Sequence, residues 1–253
     1  RASGSLRLWP DVSGRQGPSE GPAYHAGVDP VGVLARTPLF DGFPADELET
    51  LAPALKLRAF PKGSYLFHEG DAGALLFVVQ AGQVKIARMG RTGEEAVYAV
   101  LLPGDVFGEL ALFDPNSVRT ADAQAVEPTE CVTLGREAFL AFLDAHPKLI
   151  RNLVAVIGRY LDRVDDAFAE AAFVDIPARV ARKLLDLADT HGQSTPAGVR
   201  IGMRLSQRTL AGMVAASREN VNRALRRFET RGDILQEAGS ITIVRPGELR
   251  KRS

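Results

Sequence analysis

The stretch Gly104-Asp105-Val106-Phe107-Gly108-Glu109-Leu110-Ala111-Leu112-Phe113 is followed, ten residues after its glutamate, by Arg119-Thr120-Ala121. Arginine offers paired donors to phosphate oxygens, the adjacent threonine adds a hydroxyl, and the glutamate can accept a hydrogen bond from a sugar hydroxyl. Gly108 allows a close approach of the backbone. These residue types are those that a ribose-phosphate site requires. From the spacing alone, however, a structural ion pair between Glu109 and Arg119 is favoured over a ligand site.

A second pattern, Ser217-Arg218-Glu219-Asn220-Val221-Asn222-Arg223, resembles the start of a DNA-reading helix. Ser217 suits a helix N-cap, which places the side chains of Arg218, Glu219, Asn222 and Arg223 near one face. The first residues of a recognition helix meet base edges in the major groove. Arginine suits guanine, and glutamate can accept from cytosine. The alternative is a solvated basic helix.

The charge distribution supports a nucleic-acid-binding segment. The 253 residues have a net charge of zero. Residues 199–253 hold 12 Lys/Arg against 5 Asp/Glu, a net +7, which leaves 19 basic and 26 acidic residues, a net −7, in the remainder. A basic segment on an acidic body is typical of a DNA-binding domain attached to another domain. The length also suits two domains better than one.

The pattern of residues along the chain predicts two such domains. Residues 1–30 are rich in Gly, Pro and Ser and predict a disordered or loosely packed tail. Two short helices follow, within residues 31–57. Branched and aromatic segments at 75–79, 84–87 and 97–102, with glycines every eleven or twelve residues, predict an antiparallel sandwich or barrel that continues to about residue 134.

A long amphipathic helix is predicted after this sheet region. Pro147 suits its first turn, and apolar residues then recur every three or four positions: Leu149, Leu153, Ile157, Tyr160 or Leu161, Val164, Phe168 and Ala171. Such a helix can pack on the chain's own barrel or pair with a second copy. We favour the pair, because palindromic DNA is the expected target.

The last third of the chain predicts a winged helix-turn-helix. Asp175-Ile176-Pro177 ends the long helix, and further helices are expected over residues 178–190, 206–214 and 217–231. Ala215-Ala216 would be the tight turn between the last two. Residues 194–198 are predicted to be a loop, and a small hairpin follows Gly232.

About residues 33–244 resemble the CRP/FNR family, the cyclic-AMP receptor protein superfamily. The stretch from Gly104 to Phe113 with Arg119-Thr120-Ala121 is similar to that family's phosphate-binding cassette. Phe113-Asp114-Pro115 and the stretch Phe173-Val174-Asp175-Ile176-Pro177-Ala178-Arg179-Val180 are similar to actinobacterial members. The resemblance implies an α+β fold: a tail (1–30), a β-roll (jelly-roll) cyclic-nucleotide-binding domain (31–146), a dimerisation helix (147–173) and a winged helix-turn-helix DNA-binding domain (174–253).

The resemblance also implies roles for individual residues. The ligand, cyclic AMP in first place, would contact Gly108, Glu109, Leu110, Arg119, Thr120, Val164 and Asp165. Arg218 and Arg223 would read guanines of TGTGA-like inverted repeats, with Glu219 on the opposite strand, and DNA contacts would include Ser206, Gln207, Ser217 and Asn222. A homodimer and RNA polymerase are the implied protein partners.

Two departures from the family pattern stand out. Val164-Asp165 occupies the place where cyclic-AMP receptors supply Thr followed by Ser or Asn to adenine. Ala215 stands where glycine is usual in the turn. Cyclic GMP, cyclic di-GMP, another anionic ligand or constitutive DNA binding therefore stay open, as does a nucleotide-binding module that acts on a protein.

Other functions find little support in the sequence. Catalytic residues are expected to be absent, because no Ser/His/Asp set and no Walker loop occur. No metal site is expected, because the four histidines are scattered and Cys131 is the single cysteine. We expect Cys131 to be a core residue. No apolar stretch of membrane-spanning length and no leader is found, so the expected location is the cytoplasm.

Overall fold

The computed structural model describes residues 29–90, 95–114, 116–203, 205–237 and 239–253. The elements up to residue 145 are α1 (Pro30–Ala35), α2 (Ala45–Glu49), β1 (Leu55–Phe60), β2 (Tyr65–Phe67), β3 (Leu75–Ala81), β4 (Val84–Met89), β5 (Glu95–Leu101), β6 (Val106–Phe107), β7 (Asp122–Ala125), β8 (Thr129–Gly135) and α3 (Arg136–Ala145). They are followed by α4 (Lys148–Phe173), α5 (Ile176–His191), β9 (Gly192–Thr195), β10 (Gly198–Ile201), α6 (Gln207–Met213), α7 (Arg218–Thr230), β11 (Ile234–Glu237), β12 (Ser240–Ile243) and α8 (Pro246–Arg250). The predicted tail falls outside the described residues except for its last two.

Two four-stranded antiparallel sheets, ordered β1-β8-β3-β6 and β2-β7-β4-β5, build the first domain. Strand β3 shows how the sequence sets its packing, because side chains of a strand alternate between faces. Phe77 and Val79 enter the core shared by the two sheets, whereas Leu76 and Val78 pack with α1, α2, α3 and the start of α4. Both faces of β3 are buried from Leu76 to Val79, and the strand is therefore apolar without interruption from Leu75 to Val79.

Helix α4 carries two apolar stripes. Leu149, Leu153 and Val156 are buried, and the first two belong to the core of the β-roll. The second stripe is exposed in the single chain and consists of Ile150, Val154, Ile157, Leu161, Val164 and Phe168. The single stripe predicted from the sequence contains members of both, because adjacent positions on a helix lie only about 100° apart around its axis.

Helices α5, α6 and α7 enclose a second core with the sheet β11-β12-β10-β9. Asp175 begins α5, since its carboxylate accepts a hydrogen bond from the Ala178 backbone N–H at 2.8 Å. The loop predicted at residues 194–198 is instead part of an additional hairpin, β9–β10, in which the Thr195 hydroxyl donates to the Gly198 carbonyl at 2.8 Å. This hairpin was missed because the β9 residues Gly-Gln-Ser-Thr offer no apolar alternation.

Two kinds of feature are absent from the described residues. Within them, no helix is both long and apolar enough to cross a bilayer. The same residues contain no group of three or more His, Cys, Asp or Glu side chains that could hold a metal ion.

Candidate nucleotide pocket and DNA-reading helix

Arg119 is buried just before β7 begins, with 5% of its surface exposed. Its two terminal nitrogens donate to the carbonyl oxygens of Gly108 and Leu75, each at 2.8 Å. The guanidinium carbon lies 4.2 Å from the centre of the Phe67 ring. Burial lowers the pKa of Arg119 to about 10, and nearby carboxylates oppose this shift. The arginine therefore stays protonated at neutral pH and is held in one place.

Glu109 lies next to this arginine and is also buried, with 3% of its surface exposed. It directly precedes a short 3-10 turn, Leu110–Leu112. Burial raises the pKa of Glu109, whereas the positive charge of Arg119 lowers it. Arg119 does turn back toward Glu109, but its terminal nitrogens bind backbone carbonyls. The site thus offers a cation for an anionic group and an acceptor for a hydroxyl.

Two glycines allow this close packing. Gly108 has a φ of +82°, and a side-chain carbon there would lie 2.6 Å from Nη1 of Arg119 and 3.1 Å from the Leu75 carbonyl oxygen. A side-chain carbon at Gly73 would overlap the methyl group of Ala111. The backbone can reach the arginine only because both positions lack a side chain.

The other predicted ligand residues occupy more open positions. Leu110 is 51% exposed at the surface of the cassette, and Thr120 is exposed beside Arg119. Val164, 62% exposed, and the exposed Asp165 lie on α4. The structure therefore gathers Gly108, Glu109 and Arg119 into one buried cluster. It leaves Val164 and Asp165 on an open helix face.

Arg136, the first residue of α3, was not predicted to belong to the site. Its Nη2 atom donates to the carbonyl oxygens of Gly73 at 2.6 Å and Asp114 at 3.0 Å, and it also contacts the Ala111 carbonyl. Arg136 thereby links the loop before β3 to Ala111 of the cassette and to Asp114 directly after it. Its charge also lowers the pKa of Arg119. No local motif could reveal it, because these partners are 22 to 63 residues away in sequence.

The two helices of the helix-turn-helix begin at the predicted caps. The Ser206 hydroxyl accepts from the Thr209 N–H at 3.0 Å, and the Ser217 hydroxyl accepts from the Asn220 N–H at 3.3 Å. Both residues satisfy backbone donors that the first turn of a helix leaves unpaired. The predicted helix starts at Ser206 and Ser217 are therefore confirmed.

The base-reading candidates lie at the exposed start of α7. Arg218, Glu219 and Arg223 are exposed, and Asn222 is half-buried. The amide of Gln207 donates to Oδ1 of Asn222 at 3.4 Å, which links the start of α6 to α7. The pKa of Glu219 is lowered by hydrogen bonds to its own backbone and to Ser217. This end of α7 is thus ordered and accessible.

The turn between α6 and α7 contains a strained residue and a buried arginine. Ala215 has a φ of +46°, in the left-handed region that favours glycine. Arg179, from α5, donates through Nη1 to the Val214 carbonyl at 2.8 Å and more distantly to the Ala215 carbonyl at 3.4 Å. Arg179 therefore anchors the turn, and it too was not predicted from the sequence, because its partners are 35 and 36 residues away.

Two known domain families match the parts of the chain that hold these sites. Residues 57–146 match the cyclic nucleotide-binding domain, and residues 178–252 match the Crp-like helix-turn-helix domain. A CRP-like cAMP-activated global transcriptional regulator of Mycobacterium tuberculosis is 35% identical over 221 residues, which are 87% of this chain and 98% of that relative. The chain belongs to the CRP family. Its members are transcription regulators, and this CRP-family protein is a DNA-binding regulator with a cyclic nucleotide-binding domain rather than an enzyme.

One further relative and two solved structures extend the comparison. The cyclic AMP receptor protein of Thermus thermophilus is 32% identical over 207 residues, 82% of this chain and 92% of that protein. The structure of the c-di-GMP responsive global regulator CLP of Xanthomonas campestris matches with a TM-score of 0.69 at 22% identity, over 79% of this chain and 99% of that one. The structure of FixK2 from Bradyrhizobium japonicum matches with a TM-score of 0.70 at 20% identity, over 79% of this chain and 97% of that one. These two structures show the shared fold alone, and that fold confirms the expected α+β class.

Proposed function

We propose that this CRP-family protein is a homodimeric regulator that binds cyclic AMP and then binds TGTGA-like inverted repeats. The observation that carries the proposal is the buried pair of Arg119 and Glu109 beside Gly108. A protonated guanidinium suits a cyclic phosphate, and a carboxylate suits a ribose hydroxyl. Cyclic AMP is favoured because the relatives from M. tuberculosis and T. thermophilus carry names that refer to it.

In this proposal the nucleotide phosphate takes over donors of Arg119 that now bind carbonyl oxygens. A charged acceptor forms a stronger hydrogen bond than a neutral carbonyl does, so the exchange favours binding. Leu110 and Thr120 lie at the surface of the same cassette and would contact the ligand there. Asp165 would accept from the exocyclic amine of adenine, and Val164 would contribute apolar contact.

The exposed stripe of α4 supports a dimer of two copies of this chain. Its members, from Ile150 to Phe168, are spaced alternately by four and three residues, and Leu161, Val164 and Phe168 are 60%, 62% and 75% exposed. This spacing is that of a two-stranded coiled coil. A parallel pair of α4 helices would cover the stripe and relate the two recognition helices by a two-fold axis.

Such a dimer would read a symmetric site. Arg218 and Arg223 would bind guanines, with Glu219 accepting from a cytosine on the opposite strand and Asn222 beside them. Ser206, Gln207 and Ser217 would lie at the phosphate backbone. The ligand would act by favouring the dimer in which the two α7 helices are about 34 Å apart. RNA polymerase is the protein partner that we propose for the DNA-bound dimer.

The ligand is tested by titration calorimetry with cyclic AMP, and in parallel with cyclic GMP and cyclic di-GMP. The Arg119→Leu variant removes the phosphate donor, and Arg88→Leu serves as control because Arg88 is an exposed arginine that pairs with Glu69. We expect Arg119→Leu to weaken binding by roughly 10- to 100-fold, the effect of losing one charged hydrogen bond. Equal affinity in the two variants would contradict the site, and tighter binding of another nucleotide would replace cyclic AMP.

The DNA role is tested by fluorescence anisotropy on a half-site substitution series. Arg218→Ala should cost about 1–3 kcal/mol and remove the preference for guanine at one position. Arg226→Ala, on the exposed side of the same helix, should weaken all sequences alike. An unchanged guanine preference in Arg218→Ala would refute the assignment. Full operator affinity without nucleotide would instead favour a constitutive regulator.

A further inference from the structure

Helix α6, the first helix of the helix-turn-helix, lies directly on strand β5 of the β-roll. Gly212 sits in the last turn of α6, and a side-chain carbon there would be 2.5 Å from Cγ2 of Val97 and 2.8 Å from the Glu95 carbonyl oxygen. The second of these atoms belongs to the backbone and cannot rotate away. Glycine is a poor helix former, so its presence inside α6 is explained by this contact.

Charged and apolar groups extend the contact on both sides. The Glu95 side chain is only 9% exposed, forms an ion pair with Lys85, and has its second oxygen 3.8 Å from Nε of Arg208 on α6. Val100, near the other end of β5, and Leu102, directly after the strand, pack against the core of the DNA-binding domain. We call this surface, formed by Glu95, Val97, Val100 and Leu102 with Arg208 and Gly212, the β5–α6 interface.

The β5–α6 interface leaves the DNA-reading face of α7 exposed and contacts α6, the helix against which α7 packs. Arg218 and Arg223 are exposed on α7. Helices α6 and α7 are joined by the hydrogen bond from Gln207 to Asn222 and by the turn that Arg179 holds. The orientation that β5 gives to α6 therefore determines the orientation of α7 as well.

The same strand is close to the nucleotide pocket through the sheet. Asp122, three residues after Arg119, pairs with Ala87 of β4, and Ala87 pairs with Val97 of β5. Neighbouring strands are about 4.8 Å apart, so this row of three residues spans roughly 10 Å. A displacement of β7 next to the cassette can thus displace Val97, and with it Gly212, through the pairings of β7 with β4 and of β4 with β5.

We propose that the β5–α6 interface positions the recognition helix and transmits the state of the nucleotide pocket to it, with Gly212 and Val97 as its central positioning residues. The transmission part rests on the proposed function, because it requires nucleotide-controlled DNA binding. The positioning part requires only that the two domains be held together at this surface.

The test uses the full chain with two matched glycine substitutions. Gly212→Leu places a side chain against Val97 and the Glu95 backbone. Gly247→Leu is the control, because Gly247 lies in helix α8 of the same domain and has open space at its Cβ position. Leucine favours helix in both places. Circular dichroism verifies that the variants fold, calorimetric melting reports the docking of the domains, and anisotropy with and without cyclic AMP reports their coupling.

We expect Gly212→Leu to separate one cooperative melting transition into two while the protein still binds cyclic AMP. The enhancement of DNA affinity by cyclic AMP, at least about fivefold in the wild type, should fall below about twofold. Gly247→Leu should behave as the wild type in every readout. A Gly212→Leu protein with wild-type melting and wild-type enhancement would overturn the proposal. If cyclic AMP has no effect on wild-type DNA binding, the proposed function fails, and the melting profiles alone decide the positioning role.

Discussion

Replacing Ala215 with glycine should stabilise the DNA-binding domain, because Ala215 holds a φ of +46° in the turn before the recognition helix. The left-handed conformation costs an L-residue with a Cβ about 1–2 kcal/mol. Glycine removes that cost but loses about 0.4–1 kcal/mol through the greater freedom of its unfolded chain. Ala215 is exposed, so its methyl group contributes little burial. The balance favours Ala215→Gly by roughly 0.5–1 kcal/mol.

Urea unfolding followed by circular dichroism, with thermal melting alongside, measures this balance. The expected gain corresponds to a rise in Tm of about 1–4 °C for a chain of this size. Ala216→Gly is the control, because the neighbouring residue does not share the positive φ. It should lose at least about 0.4–1 kcal/mol, since its methyl group also packs against the core of the domain. Equal destabilisation by both substitutions would refute the strain assigned to Ala215.

Three further outcomes follow from the buried groups of the β-roll. Gly108→Ala should destabilise the domain by about 1–3 kcal/mol, since it places a methyl group against Arg119 at a φ of +82°. Calorimetry measures the change in folding stability and the change in nucleotide affinity, and an unchanged stability would contradict the close packing. Burial raises the pKa of Glu109 above 4.5. The stability that Glu109 contributes relative to Glu109→Gln is therefore fully present below pH 4.5 and is lost as the pH rises through the raised pKa of the folded state. Urea midpoints of the two proteins should diverge between pH 4 and 8, and a difference that stays constant would argue against burial of the charge. Burial also raises the pKa of the Cys131 thiol to about 12, so Cys131 should resist a thiol reagent in the native protein and react at once in urea, and rapid native labelling would contradict its place in the core.

Features that depend on neighbours in sequence were predictable. Ser206 and Ser217 cap their helices because each hydroxyl meets an N–H group three residues ahead. The proximity of Gly108 and Arg119 was predictable for a related reason, since both belong to one short stretch of sequence, and their role in binding a ligand stays a prediction. Ala215 was recognised as unusual in the turn, and its φ explains why glycine suits that position.

Features that depend on distant partners were not predictable from the pattern. Arg136 and Arg179 are both buried donors to backbone carbonyl oxygens, and those oxygens belong to loops and helices far away in sequence. A backbone carbonyl carries no signature in the sequence, because every residue has one. Each arginine therefore resembles an ordinary surface charge until the fold brings the carbonyl to it.

Helix α4 shows why even a strong periodic signal can be incomplete. Leu149 and Leu153 precede Ile150 and Val154 by one position each, and the two pairs form adjoining parts of one broad apolar face. The first pair packs in the core of the β-roll, so only the second is available to another helix. The periodicity of the sequence gives the total width of the apolar face, but not how that face is divided between the β-roll core and a second helix. That width exceeds the narrow seam of a coiled coil, which is what a helix requires when one side covers its own domain and the adjoining side meets a second copy.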